Sequence, residues 1–64
     1  MLYGQELTVL RTEANVEPEA IAAALRLPVP TVRAWERLNG VVPAKYEARV
    51  RAFLESAAAD LERP

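Results

Sequence analysis

Apolar residues recur at helical spacing along most of the chain, and the strongest such pattern lies in its last third. Neither glycine nor proline interrupts residues 44–63, and the apolar side chains there follow one stripe: Tyr46, Val50, Phe53, Leu54, Ala57 and Leu61. The pattern predicts one long helix from Ala44 to about Arg63. About twenty residues at 1.5 Å each extend roughly 30 Å, so we expect the end to project beyond a small domain.

Two shorter apolar runs occupy residues 18–38, which read PEAIAAALRLPVPTVRAWERL. Each run has one face to bury, formed by Ile21, Ala22 and Leu25 in the first and by Val32 and Trp35 in the second. Pro28 leaves room for only a short turn, because a proline disfavours helical backbone in the residue before it. The pattern predicts a helix-turn-helix whose second helix runs from about Val29 to Leu38.

Another helix is predicted near the start of the chain, from about Gly4 to Ala14. Leu7, Leu10 and Ala14 fall on one side of it, and Asn15 is suited to the left-handed conformation that often follows a helix. We therefore expect a single all-α domain over residues 1–64, a helix bundle of three short helices and one long C-terminal amphipathic helix.

The composition argues against several kinds of site. The 64 residues include no cysteine and no histidine, which excludes disulfides and leaves out the usual thiolate and imidazole metal ligands. No nucleophile–base pair or glycine-rich phosphate loop is present, so we expect no enzyme, metal or cofactor. The N-terminal residues MLYGQELTVL lack a basic leader and a long apolar run, and a small chain without cysteine suits the cytoplasm.

Charge is distributed unevenly along the chain. The net charge is -1, which is unusual for a protein that binds nucleic acid. Residues 24–52 nevertheless hold six basic and two acidic side chains, a net charge of +4, whereas the remaining residues carry a net charge of -5. Such segregation can create a local positive field on a nearly neutral protein. The same numbers of basic and acidic residues would also be found if these side chains only lay on helix faces exposed to solvent.

With four helices predicted, residues 4–43 resemble the phage-repressor and Cro-like (Xre-type) helix-turn-helix family. The resemblance rests on Leu7 and Leu10-Arg11 in the first helix, Ile21-Ala22 and Leu25 in the second, and Thr31-Val32 with Trp35-Glu36-Arg37 in the third. In that family an arginine of the first helix commonly pairs with a glutamate of the third. The matching positions, Arg11 and Glu36, are therefore expected to form a structural ion pair.

The resemblance implies sequence-specific binding of double-stranded DNA, with the third helix in the major groove. Carried over by position, the candidate DNA contacts are Val29, Pro30, Thr31, Arg33, Ala34, Arg37, Lys45 and Arg26. Arg33 is the expected base-reading residue, because a guanidinium can meet O6 and N7 of guanine together. The family usually has glycine where this chain has Arg26, which must adopt a left-handed conformation or alter the turn.

We expect a transcriptional regulator that acts as a homodimer on half-sites about 34 Å apart. We expect the dimer interface on the long helix, formed by its apolar residues Val50, Phe53, Leu54, Ala57 and Leu61. One alternative keeps the fold but uses it as an antitoxin-like or accessory protein-interaction module whose long C-terminal helix docks on a partner, since the remainder of the chain is acidic and the recognition positions are apolar. Glu17 and Pro18 at the start of the second helix also disfavour a phosphate contact. The other is a MerR- or excisionase-like protein, because TVRAWERLNGVVPA resembles the second helix and exit of those winged helices.

Overall fold

The protein consists of four α-helices in the computed structural model, which describes residues 1–37 and 39–63. α1 spans Gly4–Glu13, α2 spans Pro18–Leu25, α3 spans Val29–Trp35 and α4 spans Ala44–Leu61. The predicted all-α bundle of three short helices and one long one is confirmed. None of the four helices is long and apolar enough to cross a membrane.

The predicted helix boundaries differ from the observed ones chiefly at α3. The first helix ends one residue before Ala14, and Asn15 has the expected left-handed backbone, with φ 58°. α3 ends at Trp35 rather than near Leu38, which lies outside the described residues. The last turn of α3 tightens where the amides of Glu36 and Arg37 donate to the carbonyls of Arg33 and Ala34, at 3.2 and 3.3 Å.

The N-terminal residues pair with the segment between α3 and α4, a contact that the sequence patterns did not predict. Tyr3 and Val41 form an antiparallel bridge, flanked by hydrogen bonds from Gly4 N–H to the Gly40 carbonyl at 2.9 Å and from Val42 N–H to the Leu2 carbonyl at 2.8 Å. Leu2 and Val42 are consequently buried. The bridge fixes the start of α1 against the end of α3.

Both glycines permit close approach of backbone to the Trp35 carbonyl. A Cβ atom built on Gly4 would clash with that oxygen and also meet the Cα of Glu36 at 3.0 Å. A Cβ on Gly40 would clash with the same oxygen. Neither glycine has a positive φ, so what both positions need is space rather than left-handed backbone.

The core gathers side chains from all four helices, from the N-terminal segment and from the segments that join α1 to α2 and α3 to α4. Its buried members are Leu2, Leu7, Ala14, Val16, Ile21, Ala22, Leu25, Val32, Trp35, Val42, Val50 and Leu54. The assignment of Val50 and Leu54 to a dimer interface was therefore wrong, because α4 uses them to cover the helix-turn-helix of its own protomer. Phe53 and Ala57 are half-buried against this core, and only Leu61 of the assigned set is well exposed, at 54%.

The last turns of α4 extend past the packed body, as its length predicted. An 18-residue helix is about 27 Å long, and the described residues measure 36 × 21 × 18 Å along their principal axes. The side chains from Ala59 to Arg63 are all exposed. A winged helix would need a β-hairpin after its recognition helix, but residues 44–61 form α4 instead, which argues against the MerR- or excisionase-like alternative.

Candidate DNA-binding surface

The turn between α2 and α3 is closed by an arginine in left-handed conformation. Arg26 has φ 58° and ψ 45°, and its amide donates to the Ala23 carbonyl at 3.3 Å. The Leu27 amide donates to the Ala22 carbonyl at 2.9 Å, which completes the pair of hydrogen bonds of a Schellman motif. Arg26 thus adopts the left-handed conformation for which glycine is usually found at this position, and the helix-turn-helix keeps a short turn.

α3 packs through one side and leaves the other in solvent. Val32 and Trp35 are buried against the core, and Val29 is half-buried against it. The opposite side carries Pro30, Arg33, Ala34 and Arg37, which recur at helical spacing and are all exposed. Thr31 lies between the two sides and is half-buried. We call the four exposed residues the α3 face. Of the positions expected to face the bases, Pro30, Arg33 and Ala34 lie together on it, whereas Val29 does not.

The guanidinium of Arg33 is held by a carboxylate from α2. Its Nη2 donates to Oε2 of Glu19 at 3.1 Å, and the two side chains are 59% and 55% exposed. An ion pair this exposed adds little to stability. The pair directs the arginine side chain toward the start of α2.

Three further predicted DNA contacts carry positive charge without a close counter-charge. Across residues 1–37 and 39–63, no carboxylate oxygen lies within 4.0 Å of a side-chain nitrogen of Arg26, Arg37 or Lys45. All three side chains are exposed, and the Lys45 ammonium lies 5.1 Å from the centroid of the Tyr46 ring. By contrast, Arg51 faces Glu47 at 3.4 Å and Glu6 at 3.6 Å. Among the described residues Arg49 is likewise exposed and without a carboxylate within 4.0 Å, so the unpaired cations belong to the helix-turn-helix and to the first half of α4.

A hydrogen-bonded ion pair fixes α3 against α1. Arg11 Nε donates to Glu36 Oε1 at 2.8 Å, so the two residues expected to pair are in contact. Thr8 Oγ1 donates to the same oxygen at 2.6 Å, and Arg11 Nη1 donates to the Val16 carbonyl at 3.3 Å. The arginine and glutamate side chains are only 20% and 10% exposed. This network links α1, the α1–α2 loop and the end of α3, and so sets the position of the α3 face.

The end of α3 is also fixed from the other side by aromatic packing. The rings of Trp35 and Tyr46 lie with centroids 5.7 Å apart and an interplanar angle of 33°. This contact joins α3 to the first turn of α4, where Lys45 is located. Offset or tilted aromatic pairs of this kind stabilise a fold by more than the burial of their surface alone.

The start of α2 offers little to a phosphate. Glu17 precedes the helix without forming a side-chain cap, and Pro18 at the first helical position has no N–H to donate. A carboxylate at this point repels an anion. The positive charge of this region lies instead on the turn, on α3 and on the first turns of α4.

The functional candidates that sequence reasoning missed are Glu19 and Thr8. Glu19 lies in the first turn of α2, and its contact with Arg33 depends on how α2 and α3 cross. Thr8 falls four residues after Gly4 and three before Arg11, so helical spacing does place it beside the predicted ion pair.

Comparisons with protein-family models, with curated proteins and with solved structures find no match to this chain. Inferences about its function therefore depend on the geometry of the α3 face and on the charges around it.

Proposed function

We propose that this chain is a sequence-specific double-stranded DNA-binding regulator that acts as a homodimer and inserts α3 into the major groove. The proposal is carried by one observation: a helix-turn-helix with an intact short turn presents an exposed helix face that includes Arg33 and Arg37. An α-helix fits the width of the major groove of B-DNA, where each base pair offers a distinct pattern of donors and acceptors.

Arg33 is assigned the base contact, since it lies in the middle of the α3 face and its side chain is 59% exposed. A fork of two N–H donors matches O6 and N7 of guanine. Pro30 and Ala34 flank Arg33 on the same face and offer only apolar surface. They suit contact with a thymine methyl group.

Phosphate contacts are assigned to the unpaired cations Arg26, Arg37 and Lys45. They carry no close counter-charge within the described residues, so no ion pair has to be broken when they approach DNA. Because each phosphate contact releases counterions, the affinity should fall steeply as salt concentration rises. The acidic residues outside this surface account for the near-neutral net charge.

The test is selection from a random-sequence duplex pool at two salt concentrations, followed by sequencing. We expect enrichment of a palindromic site with half-site centres about 34 Å apart. Arg33→Ala should weaken binding to that site by about 1–3 kcal/mol and relax the preference at one base pair. Thr12→Ala, at an exposed position of α1 outside the α3 face, is the control.

The competing hypothesis is a protein-interaction module of the same fold. It is favoured by the apolar residues Pro30 and Ala34 on the α3 face and by the carboxylate at the start of α2. Failure to enrich any sequence, together with no binding to random duplex at low salt, would support it over the DNA-binding proposal.

A further inference from the structure

The first half of α4 carries two exposed basic side chains close together. Lys45 and Arg49 are four residues apart, so their side chains are neighbours on the surface of the helix. Within residues 1–37 and 39–63, no carboxylate oxygen lies within 4.0 Å of a side-chain nitrogen of either residue. We call Lys45 and Arg49 the α4 cations.

The aromatic contact between α3 and α4 shows which side of α4 the cations occupy. Tyr46 packs against Trp35 with ring centroids 5.7 Å apart, so its side of α4 is turned toward α3. Arg49 follows Tyr46 by three residues and is therefore its neighbour on the helix surface. The Lys45 ammonium lies 5.1 Å from the centroid of the Tyr46 ring. Both α4 cations thus border the contact that joins α4 to α3.

Arg51 lies on the other side of α4 and already has partners. The two residues from Arg49 to Arg51 correspond to a rotation of about 200° around the helix. The Arg51 guanidinium lies 3.6 Å from a carboxylate oxygen of Glu6 in α1 and 3.4 Å from one of Glu47. Of these two arginines, it is therefore Arg49 that offers an unpaired charge on the side of α3.

We propose that the α4 cations bind neighbouring phosphates on the DNA strand that borders the groove occupied by α3, which makes Arg49 a further DNA contact. The proposal rests on the proposed function, in which α3 enters the major groove. That groove is about 12 Å wide and admits one α-helix. Because α4 is packed beside α3, it lies over the edge of the groove, where the phosphates are.

The spacing of the α4 cations suits a strand of phosphates. Four residues span about 6 Å along a helix, and the phosphates of one strand follow one another about every 3.4 Å along the duplex axis. Two long basic side chains can therefore reach neighbouring phosphates without any change in the helix.

The surroundings of the α4 cations favour a phosphate strand over an acidic protein. The exposed residues beside them on this side of α4 are Ala48 and Ala52, whose side chains are small. Protein interfaces depend on large side chains that fill pockets. Phosphate binding depends chiefly on positive charge, which both cations supply.

Titration of the full chain with a random-sequence duplex, over about 50–400 mM salt, tests the contact. Each phosphate contact adds about 0.9 to the slope of log affinity against log salt concentration, so Arg49→Gln should lower the slope by about that amount. Between about 50 and 200 mM salt, the affinity of the wild-type protein should then fall about 3.5-fold more than that of the variant. Arg49→Lys keeps a positive charge and should keep the slope.

Thr12→Glu is the matched control, because it also lowers the net charge by one but at an exposed position of α1. It should leave the slope unchanged. Phosphate contacts carry no direct sequence information, so Arg49→Gln should weaken binding to the selected site and to random duplex by the same factor, unlike Arg33→Ala. Circular dichroism checks that each variant folds.

The outcomes separate this contact from the proposed function. A slope that Arg49→Gln leaves unchanged, or lowers no more than Thr12→Glu does, would overturn the contact while the regulator stands. A lower slope without enrichment of any sequence would support the contact and refute sequence-specific recognition. No binding of the wild-type protein to any duplex at low salt would overturn both.

Discussion

The ion pair between Arg11 and Glu36 should be the most sensitive polar contact in the fold. Replacing Arg11 with methionine keeps an unbranched apolar stem but leaves the Glu36 carboxylate with Thr8 as its remaining hydrogen-bond donor. The carboxylate is 10% exposed, so water cannot solvate it freely. Breaking one side of a fully buried pair costs about 3–5 kcal/mol. Allowing for the residual exposure, we expect Arg11→Met to lower the free energy of unfolding by about 2–3 kcal/mol.

The companion variants separate charge from hydrogen bonding. Glu36→Gln keeps an acceptor for both donors and leaves Arg11 with partial access to water, so its cost should be smaller, about 1–2 kcal/mol. Thr8→Val should cost about 1–1.5 kcal/mol, because one hydrogen bond to a charged acceptor is lost. The double variant of Arg11 and Glu36 should cost less than the sum of the single variants, by about 1 kcal/mol or more.

Urea unfolding at 25 °C, followed by circular dichroism at 222 nm, measures these differences. A domain of this size has a total stability of roughly 3–10 kcal/mol, so the predicted loss is a large fraction of it. Arg33→Met is the matched control, because the Arg33–Glu19 pair is more than half exposed and should contribute less than about 0.5 kcal/mol. Equal effects of Arg11→Met and Arg33→Met, or additive effects of the Arg11 and Glu36 variants, would refute the reasoning.

Three other substitutions have defined outcomes. Gly4→Ala forces a Cβ against the Trp35 carbonyl and should lower stability by about 1–3 kcal/mol, seen as a lower melting temperature. Arg26→Gly relieves a left-handed conformation and should raise stability by about 1 kcal/mol in urea unfolding, while weakening binding to random duplex. Glu19→Gln should change the free energy of unfolding by less than about 0.5 kcal/mol, because the pair is exposed. It frees Arg33, so the ratio of affinities for the specific and random duplexes, measured by titration, should fall roughly threefold. An unchanged ratio would mean that Glu19 does not position Arg33.

The helices were predictable because each buries a regular stripe of apolar residues. The stripe through Val50 and Leu54 correctly placed α4, and the prolines correctly marked the starts of α2 and α3. The same stripe gave no information on what covers it. Assigning these two residues to a dimer was wrong because a 64-residue chain needs them for its own core.

The contacts between distant segments were not predictable from periodicity. Leu2 and Val42 stand in segments too short to have a pattern, and their burial depends on a pairing across 40 positions. Periodicity also did not predict the early end of α3, where the backbone of Gly40 lies close to the Trp35 carbonyl. The pairing of Arg11 with Glu36 was expected only through resemblance to a family, because no spacing along the chain connects two residues 25 positions apart.

The most direct test of the DNA-binding proposal is an NMR titration of the ¹⁵N-labelled protein with the selected duplex. Contact through the α3 face predicts that amide shifts concentrate in residues 26–37, with weaker changes near Lys45, and that Arg33→Ala reduces them. Amides in the middle of α1, which lie outside the proposed DNA surface, should change less. Shifts confined to α1, or none at low salt, would contradict binding through α3.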